Sequence, residues 1–153
     1  MMLPRLLIPL AACGALLAGC GSSGGSGDRL SDSAYKSQAT KICTDSEKKT
    51  NALKQPTKAE EVKPYLQKGI DITQTAVDDF KGLNPPKDLQ SEHNAVVKAE
   101  QTALDKLQSL TDSLKGTASD AAAVQKASPE LDRISKDVDA KLKAAGLAKC
   151  ASS

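Results

Sequence analysis

The residues with most capacity for chemistry are one histidine, four cysteines and a scatter of carboxylates. His93 is the only histidine, and both methionines stand at positions 1 and 2. A histidine-rich metal cage or a His/Met haem site therefore lacks its ligands. Glu92 is adjacent to His93, which is not the Glu-x-x-His spacing that carboxylate-bridged bundles use. His93 follows Leu89 by four and precedes Val96 by three, so it faces a helical core or its edge. A packed or hydrogen-bonded histidine is predicted there, kept neutral by the positive end of the helix. To act as a catalytic base it would need a cleft with an acidic partner and a nucleophile. The Gly-x-Ser-x-Gly spelling around Gly21-Ser22-Ser23-Gly24-Gly25 lies in a flexible tract, and a nucleophile elbow needs a strand-to-helix turn. Asp71, Asp78 and Asp79 read as a solvated helix face, because a calcium loop needs backbone carbonyls and a glycine turn. No catalytic residue, metal ligand or cofactor is assigned, and an enzyme is not expected.

Composition narrows the partners as well. Tyr35, Tyr65 and Phe80 are the only aromatic residues, and there is no tryptophan. A base-stacking surface or an aromatic sugar cleft is excluded on that count. With 21 Lys+Arg against 19 Asp+Glu, there is no basic excess to neutralise a phosphate backbone, so no nucleic-acid partner is expected.

The cysteines are Cys13, Cys20, Cys43 and Cys150, with no Cys-x-x-Cys spacing of a redox pair. Four in so short a chain point to an oxidising compartment or to covalent modification. Arg5 leads into an apolar run from Leu6 to Ala18, shorter than the ~20 residues a membrane span requires. The run ends in Leu17-Ala18-Gly19-Cys20. This sequence resembles the lipobox of bacterial lipoproteins. The resemblance implies that residues 1–19 are a signal peptide and that Cys20 is acylated and becomes the mature N-terminus. One acyl chain binds a membrane marginally and two or more hold it firmly, so the resemblance places the protein on the extracytoplasmic side of a cell membrane. Gly21 to Gly27 is all glycine and serine, a flexible tether with a reach of roughly 15 Å. Loss of Arg5 with the signal leaves 20 basic against 19 acidic residues, a net charge of +1. Such a balance gives no electrostatic pull toward lipid.

With Cys13 discarded and Cys20 acylated, Cys43 and Cys150 remain, and an even remainder in an exported protein reads as a disulfide. Its sequence position sets a geometric demand. Cys43 lies about 12 residues, or roughly 18 Å, into the first helix, whereas Cys150 lies just past the last. Either the first helix overhangs the bundle or the fourth stops short.

The elements that position these residues are helices throughout. Apolar residues from Leu30 to Ala148 recur at three and four and do not alternate over a strand-like length. The first helix is predicted at about 31–54, with Tyr35, Ala39, Ile42, Ser46 and Leu53 on one stripe and little apolar between Thr44 and Asn51. Thr57-Lys58-Ala59-Glu60 has the form of a capping box that starts the second. Its stripe is Val62, Leu66, Gly69, Thr73, Ala76, Phe80 and Leu83, widened by Ile72 and Val77, and Lys81-Gly82 closes it. Gly69 costs about 1 kcal/mol against alanine in a helix. Close helix contact is the expected reason, and room for a ligand the alternative.

Asn84-Pro85-Pro86 breaks the chain, and a third helix is predicted at about 87–115. It carries Leu89, His93, Val96, Ala103, Leu107, Leu110 and Leu114, with Val97 and Leu104 beside them, and ends at Gly116. The fourth, about 119–145, carries Val124, Ala127, Leu131, Ile134, Val138, Leu142 and Ala145. Gly146-Leu147 fits a left-handed cap with its apolar contact. Pro64 and Pro129 read either as kinks or as fresh helix starts.

Short connections place sequential helices side by side. The predicted architecture is an all-α, antiparallel up-down-up-down four-helix bundle over 30–150, after a signal peptide (1–19) and an acylated tether (20–29). The stripes are narrow and rich in alanine, threonine and valine, so the expected core is thin. A cysteine in the first helix, Leu83-Asn84-Pro85-Pro86 before a long helix, and Gly146 to Cys150 at the end look, together with the lipobox, like small actinobacterial helical lipoproteins. That resemblance implies an extracytoplasmic bundle and carries over no catalytic residue. The leading functional expectation is an anchored interaction or structural module with an envelope protein partner. The alternative is a carrier or sensor that holds a small apolar ligand between the helices near Gly69.

Overall fold

The computed structural model describes residues 28–151. The predicted signal peptide with Cys13, the lipobox with Cys20, and the glycine–serine tether through Gly27 lie outside the described residues. Within them the chain is an all-α four-helix bundle without strands: α1 (Asp32–Asn51), α2 (Ala59–Lys81), α3 (Gln90–Ser113) and α4 (Asp120–Ala144). Two single 3-10 turns, Lys87–Leu89 and Ala148–Cys150, precede α3 and follow α4. None of the described helices is long and apolar enough to cross a membrane.

Each helix end has a chemical cause. Ser31 caps α1 by accepting the Ala34 N–H at 3.2 Å, and Lys48 and Lys49 complement the negative end of its dipole. At α2 the expected capping carboxylate shifts by one residue. Glu61, not Glu60, accepts the N–H groups of Thr57 (2.7 Å) and Lys58 (3.3 Å). With Lys58 as the cap residue, Glu61 stands at the third helical position, from which a carboxylate reaches back. Pro86 does not open α3 directly. The chain makes a 3-10 turn first, and the α-helix begins at Gln90.

Neither internal proline breaks its helix. α2 continues through Pro64 and α4 through Pro129. A helical proline orphans the carbonyl four residues back. Here those residues are Glu60 and Gln125, both exposed, so the orphaned carbonyls stand at the solvent side of their helices. At the end of α4 the Leu147 N–H bonds the Leu142 carbonyl at 2.8 Å and the Gly146 N–H bonds that of Lys143 at 3.1 Å. Gly146 has φ +73°, so this is the Schellman arrangement. Leu147, 1% exposed, supplies its apolar contact.

The helices pack in chain order, α1 on α2, α2 on α3 and α3 on α4, while the turn after α4 joins α4 to α1. Along α2 the partners on α3 descend in number. Lys63 bonds the Leu114 carbonyl, Gln67 pairs with Gln108, and Lys81 with Gln101. The core is correspondingly thin. One buried cluster joins Tyr35 and Ala39 to Phe80, Val96, Val138 and Leu142, closed by Ala145 and Leu147. A second is only Ile70, Val77 and Leu104.

The α2 stripe is the expected one in part, since Val77 and Phe80 belong to it and Ile70 does not. Ile70, Val77 and Phe80 are the buried residues, whereas Leu66, Thr73 and Ala76 are half-buried. Gly69 is not a close-contact site, since an added Cβ would meet no atom within 4 Å.

Cys43 and Cys150 are disulfide-bonded, with Cα atoms 5.5 Å apart and 107 residues between them in sequence. Neither overhang nor early stop solves the geometry. After Gly146, which lies against Lys36 of α1, the chain doubles back. Cys150 thereby shares a cavity wall with Val138 and Leu142 of α4 and meets α1 at Ala39 and Cys43, up to two turns beyond Lys36.

Candidate functional site

The residues first considered for chemistry are structural. His93 is 4% exposed; its ring stacks on Phe80 at 4.8 Å and meets Tyr35 edge-on at 5.8 Å. His93 Nδ1 and the Tyr35 hydroxyl share a hydrogen bond of 3.3 Å. Burial pushes the His93 pKa below its usual value. Burial, helped by the Glu92 charge, pushes Tyr35 up to about 12. Both are therefore neutral at physiological pH, and the trio ties α1, α2 and α3 together. Beside it, Glu92 Oε2 is buried without a hydrogen-bond partner.

Asp71 and Asp78 accept hydrogen bonds from Gln67 and Gln74 on the surface of α2, and Asp79 is exposed with them. Among the described residues no group of three His, Cys, Asp or Glu side chains is placed to hold a metal ion.

What the bundle does hold is a cavity of about 290 Å³ between the second half of α1 and helices α2 and α3. Its existence follows from α1. Beyond Ala39 no α1 residue is fully buried, because the stretch after Cys43 is too polar to fill the groove it covers. The remaining space is walled by Ile42 and the Cys43–Cys150 bridge on one side and by Ala76, Val77 and Phe80 on another. Val96, Val97 and Leu142 complete the apolar lining. Thr73, Ser46, Thr50 and Asn51 are the neutral polar groups, and two of the hydroxyls are already spent on their own helices. Thr73 donates to the Gly69 carbonyl and Thr50 to that of Ser46. Gly69 itself is not in the wall; the cavity begins one turn further along α2.

Two carboxylates interrupt this lining: Glu47, which is exposed, and Glu100, which is half-buried. Glu100 lies in the wall of the cavity and also in that of a neighbouring one of about 360 Å³ between α3 and α4. The two spaces share Glu100, Leu142 and Cys150. Burial raises the Glu100 pKa, and the charge of Asp139 raises it further. No protein family model matches this chain, and no curated protein or solved structure is detectably similar to it. The site must therefore be read from its own chemistry: an apolar chamber with one partly buried carboxyl group.

Sequence reasoning missed Glu100, although the signal was present. Glu100 stands four residues after Val96 and three before Ala103, on the strongest apolar stripe of the chain, where an acid is out of place. It also missed Asp120, which is 4% exposed. The Asp120 carboxylate accepts the N–H groups of Lys115, Gly116 and Thr117 at 2.7–3.2 Å. Burial works against its charge, but these three donors outweigh it and hold its pKa below the usual carboxylate value. Asp120 is thus the clasp of the α3–α4 connection, around Gly116 with its φ of +75°.

Proposed function

We propose that this chain is a lipid-anchored, extracytoplasmic module of the cell envelope whose antiparallel bundle takes up a small apolar ligand between α1, α2 and α3. The observation that carries the ligand reading is the 290 Å³ cavity with its apolar walls. A concave space of this size, open on one side to solvent and mostly apolar within, has the form of a small-molecule site. At ~30 Å³ for each water-sized group, it suits a body of about ten non-hydrogen atoms. The lipobox and the glycine–serine tether support the anchor at Cys20, and the descending partners between α2 and α3 support the up-down order. In this reading the disulfide holds the outer wall in place, since Cys43 and Cys150 both face the cavity.

The test is native mass spectrometry of the full chain, extracted from its membrane in polymer-bounded lipid discs rather than detergent. The expected result is a mature chain beginning at an acylated Cys20, one intramolecular disulfide, and a small molecule that Ala76→Phe displaces by filling the cavity. Bare protein in both wild type and variant would overturn the ligand reading. An unacylated Cys20 would overturn the anchor.

A further inference from the structure

The charges around the cavities are sorted by sign, and the sorting specifies a ligand class. Glu47 and Glu100 line the first cavity, and Glu100 and Asp139 the second. Among the described residues, no lysine or arginine lines either space. The chain is not short of cations, with 21 Lys+Arg in total. They line other spaces: Lys41 and Lys49 stand with Asp45 and Asp79 between α1 and α2, and Lys98, Arg133 and Lys141 with the single acid Asp137 in the opposite groove between α3 and α4. The Glu100 side chain has no hydrogen bond or ion pair to any described residue, and it stands half-buried in the wall that the two cavities share.

Partial burial and the nearby Asp139 charge both disfavour the ionised Glu100 carboxyl, and a cation bound beside it would relieve both. We infer that the cavity takes an amphiphilic amine, with an apolar body against Ala76, Val77 and Phe80 and its ammonium group on the Glu100 carboxylate. This rests on the ligand reading above and sharpens it.

Charge complementarity decides among the occupants an apolar chamber admits. A fatty carboxylate would place its anion against Glu100 and Glu47 and is disfavoured. A neutral alcohol can accept a hydrogen bond from the protonated Glu100 carboxyl but gains nothing from the surrounding negative charge. An ammonium ion gains from both the carboxylate and the absence of competing cations, and its pairing with Glu100 is shielded from water on the apolar side. The pairing is non-covalent. Glu100 releases its proton to solvent as the ammonium docks, or passes it to an amine that arrives neutral.

The experiment compares octylamine, octanol and octanoate, matched in chain length, by titration calorimetry against the full chain in lipid discs, with empty discs subtracted. The inference expects octylamine to bind at least tenfold more tightly than the other two. In Glu100→Gln, a near-isosteric change whose folding is checked by circular dichroism, that preference should fall to within about twofold while octanol binding is retained. Octylamine no tighter than octanol, or a preference that survives Glu100→Gln, overturns the amine assignment and leaves the cavity reading standing. If none of the three binds, the cavity reading itself falls.

Discussion

Replacing both Cys43 and Cys150 by alanine is the most informative perturbation, because α1 depends on the bridge more than any other helix does. Its only fully buried residues, Tyr35 and Ala39, lie in its first half. From residue 40 to Asn51 it covers a cavity rather than filling a core, and its sole covalent fastening there is Cys43. With 107 residues between the cysteines, the loss of loop-closure entropy in the unfolded chain corresponds to about 5 kcal/mol at 25 °C. A domain of this size unfolds with an entropy of about 0.26 kcal/mol per degree. The melting temperature of the double variant should therefore fall by about 15–20 °C. A fall of less than about 5 °C would refute the entropic argument.

The loss should also be uneven in space, which hydrogen exchange can resolve. In the double variant the amides of α1 beyond Ala39 should exchange through a local opening, at a free energy well below that of α3. In the bridged protein the two should be closer. The reason is that α3 packs on both α2 and α4, whereas α1 has α2 and the turn carrying Cys150. Equal protection of α1 and α3 in the unbridged protein would show that side-chain packing holds α1, and would refute the assignment of the disulfide as its fastening.

Two other perturbations follow from the titrating groups. His93, with its pKa lowered in the folded state by burial, binds protons more readily when unfolded. Its contribution is therefore complete above the unfolded value of about 6.5 and declines as pH falls below it, until the folded pKa is reached. Urea midpoints of wild type should drop through that window, and His93→Phe should lose the slope. At pH 7 to 8 His93→Ala should cost about 2–4 kcal/mol by opening a space between Tyr35 and Phe80; an unchanged midpoint there would contradict the packing assigned to it. Asp120 has the opposite sign of dependence on charge, since its folded pKa is depressed. The stability it confers is present above the unfolded value of about 3.9 and is lost as pH falls through the folded pKa. Asp120→Asn should lower the urea midpoint at pH 7, and the gap to wild type should close at pH 2–3. A gap that persists undiminished at low pH would show that the N–H groups of Lys115, Gly116 and Thr117 do not depend on the ionised form.

Sequence and structure agree most closely where the chain's own backbone chemistry decides the outcome. Ser31, Asn84-Pro85-Pro86, Gly116 and Gly146 each impose a local conformation, and all four helix ends fall within a few residues of the positions expected from them. The agreement weakens where a position depends on what lies across the gap. Of the α2 face expected to point inward, Phe80 and Val77 are buried, but Thr73 and Ala76 are only half-buried and Ile70, outside the expected set, is buried. Ile70 and Val77 pack with Leu104 of α3, while Thr73 and Ala76 line the space under the polar half of α1. Periodicity gives the period of a stripe but not which neighbour its centre meets.

The cavity was illegible for the same reason. It arises from two facts about different helices: α1 becomes polar after Cys43, and α2 presents Thr73 and Ala76 to that polar half. Neither is anomalous alone, and only their opposition leaves space. Glu100 differs, since an acid between Val96 and Ala103 contradicts its own stripe and is visible without a partner. A mismatch confined to one helix can be read from sequence, whereas a void between helices requires their register. This is why the position of the charge was available before folding was considered, and the chamber it faces was not. It also sets the order in which a site of this kind is best tested: Glu100 first, because its anomaly is independent of any packing detail, and the walls of the chamber afterwards.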